Sequence, residues 1–157
     1  MTYTVEDLLN QVQELIGEAP GDFYNISSRL RDLNTAQEEM VVRARALPTE
    51  GEVTVTQGEA SYNLPKDFLT FGRFKPQFES ITGERRPLTV VSERVAEEQY
   101  PNWRDERSIY GGTPEFMVRS GGQVHLFPTP NRGGRLILPY IERPALLEGL
   151  SSTRGEV

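Results

Sequence analysis

Apolar residues recur at helical spacing through the first third of the chain and alternate with polar ones, period two, through most of the rest. Val5, Leu8, Leu9, Val12, Leu15 and Ile16 fall on one face of a 3.6-residue helix. Thr4 is placed to cap it, Asp7 three residues on is the short acid of a capping box, and Gly17 followed by Pro20 supplies the stop. The pattern predicts a helix over 4–16. Beyond GEAPGD, Ile26, Leu30, Leu33, Met40, Ala44 and Leu47 trace a seam close to a heptad, with Gln37 in the skipped slot. Asn25 or Ser27 is the candidate cap and Pro48 the terminator, which gives a helix of roughly 33 Å at 1.5 Å per residue. Glu39 and Arg43 form an i,i+4 pair off the seam, and the seam itself reads as core.

From residue 52 the period changes. Val53 and Val55, a turn at Gly58, then Ala60, Tyr62 and Leu64 predict a hairpin. Leu69, Phe71, Phe74 and Phe78, around Gly72 and Pro76, predict a short strand or irregular connector lying on the core. The segment from Pro87 is strand-like, and that from Ser92 carries a cap and early acids, a short helix ended by Pro101. Phe116 and Val118, the turn Ser120-Gly121-Gly122-Gln123, then Val124 and Leu126 predict a second hairpin. Arg135 to Ile141 predicts one more strand, and Pro139 inside it argues for a sheet edge, because proline cannot donate to a ladder. The expected class is α+β: an N-terminal helical bundle with one long helix, antiparallel hairpins forming a small sheet, and an extended C-terminal tail. We expect a single domain over 1–144, helical over 4–47 and mainly β with a short helix over 52–144, and a flexible docking tail over 145–157.

Composition narrows the function more than it names it. Hydrophobic residues make up 36% and charged ones 25%, a globular balance in which no apolar run approaches the ~20 residues of a membrane span. Acids rather than bases, Glu6 and Asp7, stand ahead of the first leucines, unlike a signal peptide. With no Cys and one His, disulfides, thiolate catalysis, Cys-ligated zinc and multi-His metal sites are excluded. The net charge of −6 argues against a free-standing nucleic-acid binder, whose affinity comes mainly from basic residues.

Candidate chemistry is correspondingly thin. The carboxylate pairs Glu38-Glu39, Glu97-Glu98 and Asp105-Glu106 have the residue types of a glycosidase, but adjacent acids on a helix rarely face one substrate. His125, between Val124 and Leu126, reads as a strand residue, and no G-x-S-x-G offers it a serine. Arg132-Gly-Gly-Arg135 reads as a loop between strands. We therefore expect no catalytic residue, no metal and no cofactor. One bias points to interfaces. Of 17 basic residues only Lys66 and Lys75 are Lys, and Arg is the cation enriched at protein interfaces, although an arginine-rich codon usage gives the same count. Trp103, in PNWRD with Tyr100 and Arg104 close by, is a residue type that anchors interfaces and equally one that plugs a core.

The order of these features resembles the head-to-tail connector proteins of tailed bacteriophages, also called adaptor or head-completion proteins. The carrying residues are TVEDLLNQV in the first helix, then Arg31-Asp-Leu-Asn34 with its AQEEM continuation, then Tyr62-Asn-Leu-Pro-Lys-Asp-Phe68. Pro87-Leu88, the Trp103 loop, Gly112-Thr-Pro114 before Phe116, Leu126-Phe-Pro-Thr-Pro130, Leu138-Pro-Tyr140 and Pro144 continue it. The likeness spans about residues 4 to 145, and order and spacing carry it rather than any single motif.

The resemblance implies a structural virion protein at the head–tail junction, made in the host cytoplasm. It implies a ring of twelve copies between the portal protein and a tail or nozzle protein, extending a channel through which DNA passes without specific binding, and no membrane. An acidic ring agrees with a wall on which DNA slides. Portal or subunit docking falls, on this reading, to Arg143, Leu146, Leu147, Leu150 and Arg154. Tyr100, Trp103 and Arg104 are the candidate interface anchors. Two alternatives stay open on the sequence: a nucleic-acid-binding β-module on a helical arm, for which Phe71, Arg73, Phe74 and Lys75 are the best residues, and a carboxylate-dependent cell-wall hydrolase.

Overall fold

The computed structural model describes residues 4–17, 26–104 and 111–148. Along them run α1 (Val5–Ile16), α2 (Ile26–Ala44), β1 (Pro48–Val55), β2 (Ser61–Asn63), β3 (Phe68–Phe71), β4 (Gln77–Ser80), β5 (Arg85–Pro87) and β6 (Thr89–Val91). These are followed by α3 (Glu93–Gln99), β7 (Phe116–Ser120), β8 (Gln123–Phe127) and β9 (Gly134–Glu142). The class is α+β. The chain divides into a helical unit, Met1–Ala44 with Pro144–Val157, and a β-rich unit, Arg45–Arg143. No helix among the described residues is long and apolar enough to cross a membrane.

In the helical unit α1 starts as the sequence predicts. Thr4 Oγ1 accepts the Asp7 N–H at 3.2 Å, Asp7 Oδ2 accepts the Thr4 N–H at 2.9 Å, and these bonds hold the Asp7 carboxyl below its ordinary range. Gly17, at φ +66°, closes the other end in the left-handed region. The apolar stripe is half-buried at Val5, Leu8, Leu9 and Val12 but stops there: Leu15 is 85% exposed and Ile16 is exposed too.

Helix α2 is shorter than predicted, about 28 Å for its 19 residues at 1.5 Å each. Arg45 and Leu47 take positive φ, +49° and +54°, so the helix ends before Pro48, which opens β1 instead. Of the two expected caps, Ser27 lies inside the helix and Asn25 lies outside the described residues. The covered stripe runs Leu30, Leu33, Asn34, Gln37, Glu38, Val41, a true 3.6-residue period. The heptad seam drifts off it after Gln37, leaving Met40 70% exposed while Val41 is buried. Arg29 Nη1 donates to Gln13 Oε1 of α1 at 3.4 Å.

The β-rich unit holds two sheets. One has the order β1-β9-β4-β5 with β3 also on β9, and the other the order β2-β8-β7-β6. The pairings are antiparallel except β6 with β7. Val55, Tyr62, Phe68, Phe78, Leu88, Met117, Val124, Leu126, Leu136, Leu138 and Tyr140, drawn from both sheets, form one core. Alternation along β7 and β8 sends Val118 and Phe127 to the opposite face, where Ala96 of α3 covers them.

Two sequence expectations fail here for identifiable reasons. The predicted hairpin over 53–64 does not form, because β1 pairs with β9 in one sheet and β2 with β8 in the other. The turn at Gly58, φ +82°, carries the chain between sheets, and Tyr62 clasps it: its hydroxyl accepts the Thr56 N–H at 3.1 Å and donates to the Glu59 carbonyl at 2.7 Å. Nor is Pro139 on an edge strand. Strand β9 pairs with β1 from Pro48↔Ile141 to Val55↔Gly134, and on its other side with β4 and then β3. Pro139 is tolerated because its carbonyl, which accepts the Gly72 N–H at 3.0 Å, and hence its nitrogen, face the break between β4 and β3. The second hairpin, β7 with β8, forms as expected with Gly121 at φ +59°.

Candidate functional site

The residues the sequence singled out sit in separate places. Arg143 follows β9 in the β-rich unit, where its N–H donates to the Asp67 carbonyl at 2.6 Å. Leu146 and Leu147 belong to the helical unit. Leu150 and Arg154 lie outside the described residues.

The course of residues 145–147 is set by two polar side chains of α2, Asn34 and Gln37. Asn34 Nδ2 donates to the Leu147 carbonyl at 3.2 Å, and Asn34 Oδ1 accepts the Leu147 N–H at 2.7 Å. Gln37 Nε2 donates to the Ala145 carbonyl at 3.1 Å. An amide side chain can meet a peptide unit on both its donor and its acceptor side, so this clamp holds the segment by its main chain and leaves its side chains uncommitted. Leu146 is accordingly 67% exposed and stands with Leu30, Asn34 and Thr35 around a groove of about 520 Å³. The signal for the clamp was present: a polar residue within the covered stripe of an amphipathic helix needs a partner. Counting leucines alone misses it.

The second set surrounds α3. Ser92 Oγ accepts the Val95 N–H at 3.4 Å, as the predicted cap, and Tyr100 closes the helix. Tyr100 packs its ring on Phe116 and Phe127, at 4.6 and 5.6 Å between centroids. Trp103 is 3% exposed, against Ala96 and Val118, with its ring edge-on to His125 at 5.3 Å. In the isolated chain Trp103 is thus a core residue rather than an exposed anchor, because its ring is covered by Ala96 of α3, Val118 of β7 and His125 of β8. Arg104 remains at the surface, its guanidinium 4.8 Å over the Trp103 ring and its Nη2 donating to Glu97 Oε1 at 2.7 Å.

Beside this cluster lies a polar cavity of about 300 Å³ lined by Ser61, Glu93, Arg104 and His125 among others. Ser61 Oγ and His125 Nδ1 share a hydrogen bond at 3.0 Å, a cross-strand pair of β2 and β8 in register. The carboxylates that the sequence offered as acid–base pairs are engaged by arginine: Glu39 by Arg43, Glu97 by Arg104, and Glu98 by Arg94. Asp105 and Glu106 lie outside the described residues. Among the described residues no group of three His, Asp or Glu side chains gathers where a metal ion could sit.

The outer face of the first sheet is ionic. Glu52 of β1, Arg135 of β9, Glu79 of β4 and Arg85 of β5 form a ladder across four strands, with contacts of 3.0, 3.0 and 2.8 Å. The Arg135 guanidinium, bonded to both Glu79 oxygens, holds that carboxyl below its ordinary range.

Against known proteins, a family model described as SU10 adaptor protein matches residues 3–153. No curated protein matches the chain.

Proposed function

We propose that this chain, which belongs to the SU10 adaptor protein family and is therefore a structural adaptor of a phage virion, sits at the head–tail junction as one of twelve copies in a ring between the portal and the tail. In this reading the ring extends the channel through which DNA passes and gives the tail its platform. The residues from Pro144 onward dock on the portal or on a neighbouring copy, and the chain performs no catalysis.

The observation that carries the reading is the clamp on α2. Asn34 and Gln37 hold residues 145–147 by main-chain groups, so Leu146 is presented outward on a segment whose direction is already fixed. Fixing the base of a docking segment lowers the ordering cost that binding must overcome. The exposed Leu15, Ile16 and Met40 add apolar surface on the same unit, as expected of a protein that meets neighbours in an assembly.

Co-sedimentation with purified portal rings tests this directly. The full chain should attach, and a chain ending at residue 144 should fold but stay in the supernatant. Attachment of the truncated chain at full occupancy assigns docking to another surface and overturns the role given to this segment.

A further inference from the structure

The β3–β4 loop, Gly72-Arg73-Phe74-Lys75-Pro76, combines charge and an aromatic ring in a way the core does not require. Both its ends are fixed: the Gly72 N–H donates to the Pro139 carbonyl at 3.0 Å, and the Pro76 carbonyl accepts the Leu88 N–H at 2.8 Å. Between these points Arg73, Phe74 and Lys75 are exposed, and Phe74, expected from the sequence to lie on the core, is 76% exposed. Arg73 and Phe74 share with Arg45, Glu50 and Tyr140 the walls of a groove of about 410 Å³. The Tyr140 hydroxyl is already committed, donating to Asp67 Oδ1 at 3.0 Å.

Among the described residues, the cations of this loop belong with Lys66, Arg119 and Arg132 to the set that no ion pair compensates. The chain has 23 acidic and 17 basic residues, and Arg43, Arg85, Arg86, Arg94, Arg104 and Arg135 each meet a carboxylate. Arg45, Arg73 and Lys75 meet none among the described residues. Three open cations beside a bare aromatic ring suit a ligand that carries both negative charge and a flat π face. A protein partner would call for an apolar patch several residues wide, whereas Phe74 is the one exposed large hydrophobic on this groove.

We propose that the β3–β4 loop and its groove contact a nucleic-acid strand, with phosphates at Arg45, Arg73 and Lys75 and an unpaired base stacked on Phe74. Glu50 in the same groove and the acidic balance of the chain keep the contact weak and salt-sensitive. The inference rests on the loop's own exposed side chains and groove and not on the adaptor reading.

Fluorescence anisotropy of the full chain with a labelled oligothymidylate and a labelled blunt duplex, from low to physiological salt, tests it. For three phosphate contacts at about 0.7 each, log affinity for the single strand should fall with log salt at a slope of about −2, and Arg73→Gln or Lys75→Gln should each reduce that slope by about 0.7. Phe74→Ala should weaken oligothymidylate binding about 5- to 150-fold at unchanged slope and leave the duplex untouched. Arg94→Gln, a charge change on α3, should do nothing. Absence of binding at low salt, binding indifferent to all three loop variants, or displacement by polyglutamate as effective as by oligothymidylate overturns the proposal. Portal co-sedimentation of Phe74→Ala separates the two readings: attachment with lost strand binding leaves the adaptor role intact, and strand binding by a chain that never attaches leaves the loop assignment intact.

Discussion

Asn34 and Leu147, 113 positions apart, pair as two peptide groups would: the asparagine amide donates to the Leu147 carbonyl and accepts its N–H. The pair is sequence-specific at residue 34 and nearly indifferent to the side chain at 147, because only main-chain atoms of the latter take part. Asn34→Leu should therefore speed amide exchange at Leu147 strongly and cost about 1–3 kcal/mol, for the lost bonds and the part-buried groups left behind. Leu147→Ala should leave exchange at that amide close to wild type. Exchange read by NMR on the two variants decides it.

The ladder through Arg135 and Glu79 predicts an acid-sensitive sheet. The folded-state pKa of Glu79 lies below its ordinary 4.5, chiefly through its hydrogen bonds to Arg135, so the stability it contributes is present above that value and is lost as pH falls through the depressed folded value. Glu79→Gln should lower stability at neutral pH and make the fall between neutral pH and acid shallower. Asp7, whose carboxyl is also lowered, acts in the same direction, so Asp7→Asn is the parallel variant. Urea melts at neutral and acid pH measure both slopes.

Gly134 is required by space rather than by backbone conformation. A Cβ there would drive into the Glu79 carbonyl and the Phe78 ring, at the point where β4 joins β9. Gly134→Ala should cost at least about 1–3 kcal/mol through forced displacement of β4. Gly122→Ala, where a Cβ meets nothing within 4 Å, should be close to neutral. Thermal unfolding of the pair gives the contrast.

Around α3, burial and exposure separate two roles. Trp103→Ala empties a site 3% exposed and should cost about 3–5 kcal/mol. A loss of assembly in that variant would report folding. Arg104→Gln removes a surface ion pair worth about 0–1 kcal/mol, so a loss of portal or subunit attachment there, at unchanged melting temperature, reports an interface. Unchanged attachment removes Arg104 from the candidate anchors.

What the sequence made legible was local. The Thr4–Asp7 box, the Ser92 cap and the β7–β8 turn depend on residues a few positions apart, and all three are present. What it hid was decided between distant segments. Val53 and Val55 alternate as any strand does, and nothing nearby says that their partner is β9 rather than the next alternating run at Tyr62. Pro139 looks like an edge residue until β3 and β4 are seen to leave a gap opposite it. Met40 and Val41 are one step apart, and the drift of a 3.6-residue helix from a seven-residue seam chose between them. The clamp escaped for the same reason, since Asn34 and Gln37 find their partners only when residues 145–147 lie beside them.

Whether the chain forms a ring on the portal is decided by native mass spectrometry of portal rings before and after addition of the purified chain. The chain alone should be monomeric or weakly associated, and the portal complex should gain one copy per portal subunit, because a ring of heterologous contacts closes most reliably on a symmetric template. An unchanged portal mass, or a chain that is already a stable two-fold dimer in solution, would contradict it.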